Sequence, residues 1–261
     1  MQKHEKALNK LAKDIFTRRL QAGGKLPSER QLSQDMEIDR TSLRIALKHL
    51  ESMGVLDIRQ GDGIYVKDYT HHAGPDFLQL VVESDDLNAP GSVVDDYLMD
   101  EMWEFWGAYF PVLLKMSSKK ASPRDMRDLM TLLDEELEHV HDRDKIVELD
   151  LLAEERIARA TGNMVIMLYS NASRTIRRNM VKAFYDRVDD DTVRLHVEIK
   201  RALVKDWASG AMTAEELADH YAQVLEAHRA AIKKTRSSNG AAAAMLEEYK
   251  DALDKTGSAK V

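Results

Sequence analysis

The feature that most narrows the possible folds of this chain is residues 26–66, LPSERQLSQDMEIDRTSLRIALKHLESMGVLDIRQGDGIYV. Ser28 and Gln31 form an S-x-x-Q capping box directly after Pro27, which predicts that a helix begins there. Asp39 is a suitable N-cap for a second helix, whose apolar positions follow at helical spacing at Leu43, Ala46, Leu47 and Leu50. Because a short turn separates the two, the sequence predicts a helix-turn-helix.

Two further elements frame this helix-turn-helix. Residues 3–20 place apolar side chains near helical spacing and predict a first helix with a basic outer face. After Gly54, the turn Gly61-Asp62-Gly63 separates the short runs LDIRQ and IYV, and such turns are typical of hairpins. The order of helix, helix, turn, helix and hairpin predicts a winged helix-turn-helix domain over residues 1–67.

The start of the third predicted helix carries four polar side chains that face away from its apolar stripe, namely Arg40, Thr41, Ser42 and Arg44. A helix that enters the major groove by its N-terminal end presents guanidinium groups to guanine edges and phosphates, and hydroxyl groups to phosphate oxygens. The pattern therefore predicts contact with double-stranded DNA. An ordinary solvated helix face is the alternative interpretation of these residues.

The same stretch resembles the winged helix of the GntR family of bacterial transcription regulators, over about residues 5–67. The resemblance is carried by the elements LPSER, DRTSLR and GDGIYV. It implies that phosphates and bases are contacted by Arg30, Arg40, Thr41, Ser42 and Arg44. It also implies that the wing tip at Gln60 and Gly61 enters the minor groove, although Gln60 stands where some members have a basic residue or a histidine.

Length and charge indicate a second domain of different character. The chain has 261 residues, and single cores rarely grow much beyond roughly 250 residues. Residues 1–67 hold 13 Lys and Arg against 9 Asp and Glu, while the whole chain carries a net charge of −7, so the remainder is strongly acidic. The sequence contains no cysteine, no apolar run that could span a membrane and no signal peptide, and we expect a cytoplasmic protein.

Breakers and helical periodicity set the predicted boundaries. Residues 68–76 are predicted as a linker, 77–236 as an all-helical bundle that binds an effector and dimerises, and 237–261 as a C-terminal tail or accessory helix. The predicted helices of this part lie at about 92–117, 123–141, 144–161, 164–186, 190–209 and 213–235. The fold class is mainly α, a winged helix-turn-helix domain followed by a helical bundle.

Aromatic residues are concentrated in YLMDEMWEFWGAYF, residues 97–110. Ligand sites in helical bundles lie between facing helices, so this segment predicts an apolar effector pocket lined by Trp103, Trp106, Tyr109 and Phe110. The segment offers Asp100 and Glu101 but no arginine that could anchor a small anion. Because each buried CH₂ contributes about 0.8 kcal/mol, such a lining favours a long acyl chain. The alternative is that these aromatic residues are ordinary core.

A weaker resemblance links ELDLLAEERIARATGN, residues 148–163, to the ligand domain of the FadR subfamily of GntR regulators. Many members of that domain bind a divalent metal ion through one Asp and three His. The resemblance implies a metal site, for Zn²⁺, Mn²⁺ or Fe²⁺, at Asp150, Glu154, His196 and His228, with Glu154 in the place of the first histidine. The alternative interpretation is helix-surface carboxylates beside buried, hydrogen-bonded histidines.

These observations predict a homodimeric transcription regulator that binds a palindromic operator in double-stranded DNA and responds to a small-molecule effector, expected to be a fatty acyl-type ligand. One alternative is a regulator that senses a small carboxylate through a bound divalent metal. Another is a metal-dependent enzyme, although the sequence has no P-loop, no G-x-G-x-x-G and no G-x-S-x-G. We therefore expect no catalytic site.

Overall fold

A computed structural model describes residues 2–85 and 92–234, which divide into two compact units between Asp95 and Asp96. The first unit contains α1 (Lys3–Phe16), α2 (Glu29–Asp35), α3 (Arg40–Ser52), β1 (Leu56–Arg59), β2 (Gly63–Val66), α4 (Tyr69–His72) and α5 (Pro75–Glu83). The Ser28 and Asp39 caps are present, since Ser28 accepts a hydrogen bond from the Gln31 amide and Asp39 accepts one from the Ser42 amide. The other half of the predicted capping box does not form, because the Gln31 side chain donates to Asp35 at 2.7 Å. The helix-turn-helix therefore forms for the local reasons that the sequence gives.

The wing is an antiparallel hairpin of β1 and β2, in which Leu56 pairs with Val66 and Arg59 with Gly63. The segment before α2 extends it, because the Leu26 amide donates to the Ile64 carbonyl at 2.8 Å. Under the hairpin, α3 and α1 bury a common apolar core that includes Leu8, Leu11, Ile15, Leu43, Leu47 and Leu50. This core holds the outer face of α3 at a fixed angle to the wing.

The predicted linker differs from the structure. Residues 68–76 contain α4 and the start of α5, and both helices belong to the first unit. Tyr69 and Phe77 pack on Phe16 of α1, with ring centroids 5.6 and 6.3 Å away. Gly, Pro and His in DYTHHAGPD indicated a loop, but the packing of two aromatic rings on α1 orders it into helices.

The second unit is all-helical where it is described: α6 (Asp96–Ser118), α7 (Pro123–Glu138), α8 (Arg143–Ala160), α9 (Met164–Tyr185), α10 (Asp190–Ser209) and α11 (Ala214–Lys234). These bounds lie within four residues of the predicted ones. Capping explains the agreement, since the side chains of Ser122, Asp142, Asn163 and Asp189 each accept a hydrogen bond from a first-turn amide.

The helices of the second unit surround an interior to which every one of the six contributes a buried face. Helix α6 packs along α11, α8 lies against α6, α7 and α9, and α10 lies against α7 and α11. The predicted tail, residues 237–261, lies outside the described residues. Across residues 2–85 and 92–234, none of the helices combines the length and apolarity needed to span a bilayer.

Candidate nucleic-acid interface and effector cavity

The first turns of α3 present the predicted contact residues at the surface. Arg40, Thr41 and Arg44 are exposed, and so is Arg30 on α2. Ile45 is 50% exposed beside them, which the sequence reasoning did not single out. A signal was available, since Thr41 and Ile45 are four residues apart and share the outward face of a helix. Cationic and small polar side chains of α2 and α3 are therefore exposed at the surface.

Two of the predicted contact residues have internal partners. The Arg44 Nε atom donates to a Glu29 carboxylate oxygen at 2.7 Å, and both side chains are partly exposed. The amide and the hydroxyl of Ser42 donate to the Asp39 carboxylate at 2.8 and 2.9 Å. These bonds hold the pKa of Asp39 below its usual value. Ser42 therefore fixes the start of α3, and the Arg44 guanidinium is paired with Glu29 in this structure.

The wing tip is exposed at Gln60 and Gly61, and Gly61 has a φ of 79°, a left-handed conformation that favours glycine. The adjacent Asp62 carboxylate accepts hydrogen bonds from Lys25 and from the Tyr65 hydroxyl, both at 3.1 Å. The bond from Lys25 lowers the pKa of Asp62. Lys25 thus offsets an acidic group at the wing, a role that sequence reasoning missed because the two residues lie 37 positions apart.

The interior of the second unit contains a cavity of about 60 Å³ between α6 and the five other helices. Trp103, Trp106 and Phe110 line it, as predicted from the aromatic segment. Tyr109 does not. Its ring lies on another side of α6, with centroids 5.9 Å from Phe105 and 5.3 Å from Tyr169. Tyr109 and Phe110 are adjacent in sequence and are therefore rotated by about 100° around the helix, although the Tyr109 ring still lies 5.6 Å from that of Trp106.

A buried lysine, Lys200, lines this cavity and bonds to two carboxylates. The Lys200 ammonium donates to the carboxylates of Glu136 and Asp150, both at 2.6 Å, and Lys200 is 4% exposed. Burial opposes its charge, but Asp150 and Glu136 raise the pKa of Lys200 well above its usual value. Burial raises the pKa of Glu136 to about 7, against the effect of Lys200. The cation therefore stays charged and is shared by two carboxylates.

A second buried ion pair lies beside it. Arg177 pairs with Glu154 and donates to the Ser170 carbonyl at 3.0 Å. Its guanidinium also lies 5.4 Å from the centre of the Trp106 ring. Burial lowers the pKa of Arg177 to about 10, so it too is charged at neutral pH. The prediction that no cation is present was based on α6 alone, whereas Lys200 lies on α10 and Arg177 on α9.

The predicted metal ligands surround the cavity but do not form a metal site. Asp150, Glu154, His196 and His228 all line it. However, Asp150 bonds to Lys200 and Glu154 to Arg177, so the two carboxylates are occupied by protein cations. Among the residues that the structure describes, no group of three His, Cys, Asp or Glu side chains is arranged to hold a metal ion. The donor set therefore does not fit the group that the resemblance implied.

The two histidines meet instead at an apolar corner of the cavity. Their ring centroids are 4.3 Å apart, and the Trp103 ring lies 6.1 Å from that of His228. Burial lowers the pKa of His228 to about 3 and that of His196 well below its usual value, so both rings are neutral at pH 7. Within the described residues, three nitrogens here have no hydrogen-bond partner: Trp103 Nε1, His196 Nδ1 and His228 Nε2. Each such atom costs about 1–3 kcal/mol.

Comparison with known proteins finds similarity along most of the chain. The HTH-type transcriptional regulator Mce2R of Mycobacterium tuberculosis is 32% identical over 120 residues, which are 46% of this chain and 47% of that relative. The fatty acid metabolism regulator protein of Shewanella denitrificans is 25% identical over 201 residues, 76% of this chain and 80% of the relative. The chain thus spans about half the length of Mce2R and most of the Shewanella protein.

Structural comparison supports the same architecture. The structure of E. coli McbR/YncC matches 91% of this chain and 100% of its own length with a TM-score of 0.50, at 14% sequence identity, and this likeness shows the fold alone. Residues 3–66 match the family described as bacterial regulatory proteins of the GntR family. Both relatives described above are named as regulators. The winged helix-turn-helix domain of this chain is thus similar to that of the GntR family of bacterial regulatory proteins, and it is joined to an all-helical unit.

Proposed function

We propose that this protein is a transcription regulator that binds a palindromic operator as a homodimer and releases it when an acyl-type amphiphile enters the cavity of the helical unit. The observation that carries the proposal is the pairing of a GntR winged helix with a separate unit that encloses an aromatic cavity. A dimer follows from the geometry of recognition, because one winged helix reads only one half-site. Such a protein acts in the cytoplasm, where its DNA lies.

The DNA-binding part of the proposal is supported by the outer face of α3. Arg40 and Arg44 lie in its first two turns and are exposed, while Glu29 is positioned to hold Arg44 until DNA replaces it. Arginine forms two hydrogen bonds to a guanine edge, which discriminates between bases, or binds phosphate, which does not. The two roles differ in how binding depends on salt.

Replacing Arg40 or Arg44 with alanine is expected to weaken operator binding by about 1–3 kcal/mol if the residue contacts a base. A phosphate contact would instead weaken specific and non-specific binding alike and make the salt dependence shallower, because fewer counterions are released. The measurement is a fluorescence anisotropy titration at several salt concentrations, with an operator selected from random duplexes by the unaltered protein.

The matched control is Arg124→Ala on α7, which removes the same charge from a side chain that is 81% exposed in the other unit. It should leave operator affinity unchanged. If both α3 variants bound the operator like the unaltered protein, α3 would not be the recognition helix.

The effector part of the proposal is supported by the cavity walls. Trp103, Trp106 and Phe110 supply an apolar lining. Lys200, a cation in that lining, is already shared by two carboxylates, and the nearby Arg177 is paired with Glu154. A small anion therefore finds no free positive charge among the described residues of the cavity. The relative from Shewanella denitrificans, named a fatty acid metabolism regulator, points in the same direction. Asp150 and Glu154 are paired with protein cations, which disfavours sensing through a metal ion.

Operator-bound protein is expected to release DNA when titrated with acyl compounds, with an affinity that rises with chain length by at most about 0.8 kcal/mol per CH₂ until the cavity is filled. A volume of about 60 Å³ holds only a few water-sized groups, so a longer chain must displace side chains, and this displacement can couple binding to a second state. By linkage, operator DNA should weaken acyl binding by the same factor.

The titration compares fatty acids, their methyl esters and acyl-CoAs of rising length with lactate, citrate and gluconate. A protein treated with chelator serves as the metal-free control. Release by a small acid, with no response to any acyl compound, would contradict the acyl assignment.

A further inference from the structure

The apolar corner of the cavity contains three ring nitrogens that point to a ligand head group. Trp103, His196 and His228 are each at least 96% buried, and all three line the cavity. Their Nε1, Nδ1 and Nε2 atoms have no hydrogen-bond partner among residues 2–85 and 92–234. Polar atoms that are buried in a protein are nearly always hydrogen-bonded, so three together in one cavity indicate a partner that the described residues do not supply.

The hydrogen-bonding chemistry of these rings restricts that partner. The indole N–H of Trp103 can only donate, and a neutral imidazole can donate from one nitrogen and accept at the other. A single oxygen atom of a ligand can accept from the indole and exchange a second hydrogen bond with an imidazole. Alcohols, esters, ketones and protonated carboxylic acids all provide such an oxygen.

The charges around the cavity exclude an anionic head group. Lys200 is shared by Glu136 and Asp150, and Arg177 is paired with Glu154, so the carboxylates outnumber the cations by three to two. An additional carboxylate would be buried beside these negative charges without a cation of its own, which is strongly unfavourable.

We propose that Trp103, His196 and His228 form a head-group site that binds an uncharged oxygen of an otherwise apolar ligand directly, without a metal ion. The inference rests on the proposed effector cavity and specifies the chemical class that it accepts. The same ring nitrogens would fix the orientation of the ligand, with its head at the corner formed by α6, α10 and α11 and its apolar part along Trp106 and Phe110.

The test measures binding by calorimetry with three probes of equal chain length: hexanol, hexanoate and hexane. At about pH 7.5, where a carboxylic acid is ionised, hexanol should bind at least about tenfold more tightly than hexanoate. Hexanol should also bind more tightly than hexane, and chelator should leave its affinity unchanged. In NMR spectra, the indole N–H resonance of Trp103 should shift downfield with hexanol and not with hexane, because only hexanol accepts its hydrogen bond.

Two tryptophan variants separate a head-group contact from loss of volume. Trp103→Phe removes the unpartnered N–H and should reduce the preference for hexanol over hexane, while the hydrogen bond to an imidazole remains. Trp106→Phe removes an indole from the same cavity and should retain that preference. Equal binding of hexanoate and hexanol, a requirement for added Zn²⁺, or an unchanged preference in Trp103→Phe would each overturn the head-group site. Failure of every acyl compound to release the operator would overturn the proposed function but leave the binding results intact.

Discussion

Lys200→Met should lower the free energy of unfolding by about 3–5 kcal/mol, because it leaves the buried Glu136 and the partly buried Asp150 without their shared cation. Methionine keeps most of the length of the side chain, so the loss is one of charge and hydrogen bonding. The measurement is urea denaturation near pH 7, followed by circular dichroism. Since the two units can unfold separately, the transition of the helical unit is the one to follow.

The neighbouring Arg201→Met provides the matched control. Arg201 is 43% exposed and pairs with Asp134 at the surface, where an ion pair contributes at most about 1 kcal/mol. Adding Glu136→Gln to Lys200→Met should restore part of the lost stability, because it replaces a buried carboxyl group that has lost its cation with a neutral amide. If Lys200→Met cost no more than the Arg201 variant, the buried network would not stabilise the unit.

The elements of this fold were predictable because their signals are local. Ser28, Asp39, Ser122 and Asn163 cap helices at the positions that the sequence indicates, and each acts within three residues of the chain. The helices over 68–83 were missed for the opposite reason. They are ordered by contacts of Tyr69 and Phe77 with Phe16, more than 50 positions earlier in the chain.

The buried charges had a sequence signal, although their partners did not. Glu136 follows Leu129 and Leu133 at helical spacing, so it occupies the apolar stripe of α7, and Lys200 follows His196 and Val193 in the same way on α10. A charged residue within an apolar stripe predicts a buried ion. The packing of α7, α8 and α10 determines which carboxylate meets which cation, and spacing within one helix does not contain that information. For this reason, spacing alone did not reveal that Asp150 and Glu154 are paired with Lys200 and Arg177 in this structure.

As pH rises, the Glu136→Gln variant should lose less free energy of unfolding than the unaltered chain. Burial raises the pKa of Glu136 to about 7 from 4.5, so between these values the folded protein keeps a proton that the unfolded chain has released. The stability from this group is fully present below pH 4.5 and is lost as pH rises through about 7. Glutamine stays neutral and still accepts a hydrogen bond from Lys200, so its advantage should grow to about 3 kcal/mol.

The quantity to measure is the difference in free energy of unfolding between the two proteins from about pH 5 to pH 8. Burial lowers the pKa values of His196 and His228, so these residues contribute stability that is lost as pH falls below 6.5, but they are present in both proteins and cancel in the difference. Glu135→Gln is the control, because a hydrogen bond from Lys145 lowers the pKa of this partly exposed neighbour. Its difference should not rise with pH. If the difference in free energy of unfolding for Glu136→Gln were also independent of pH, Glu136 would be ionised throughout this range. Lys200 would then be paired with two fully charged carboxylates.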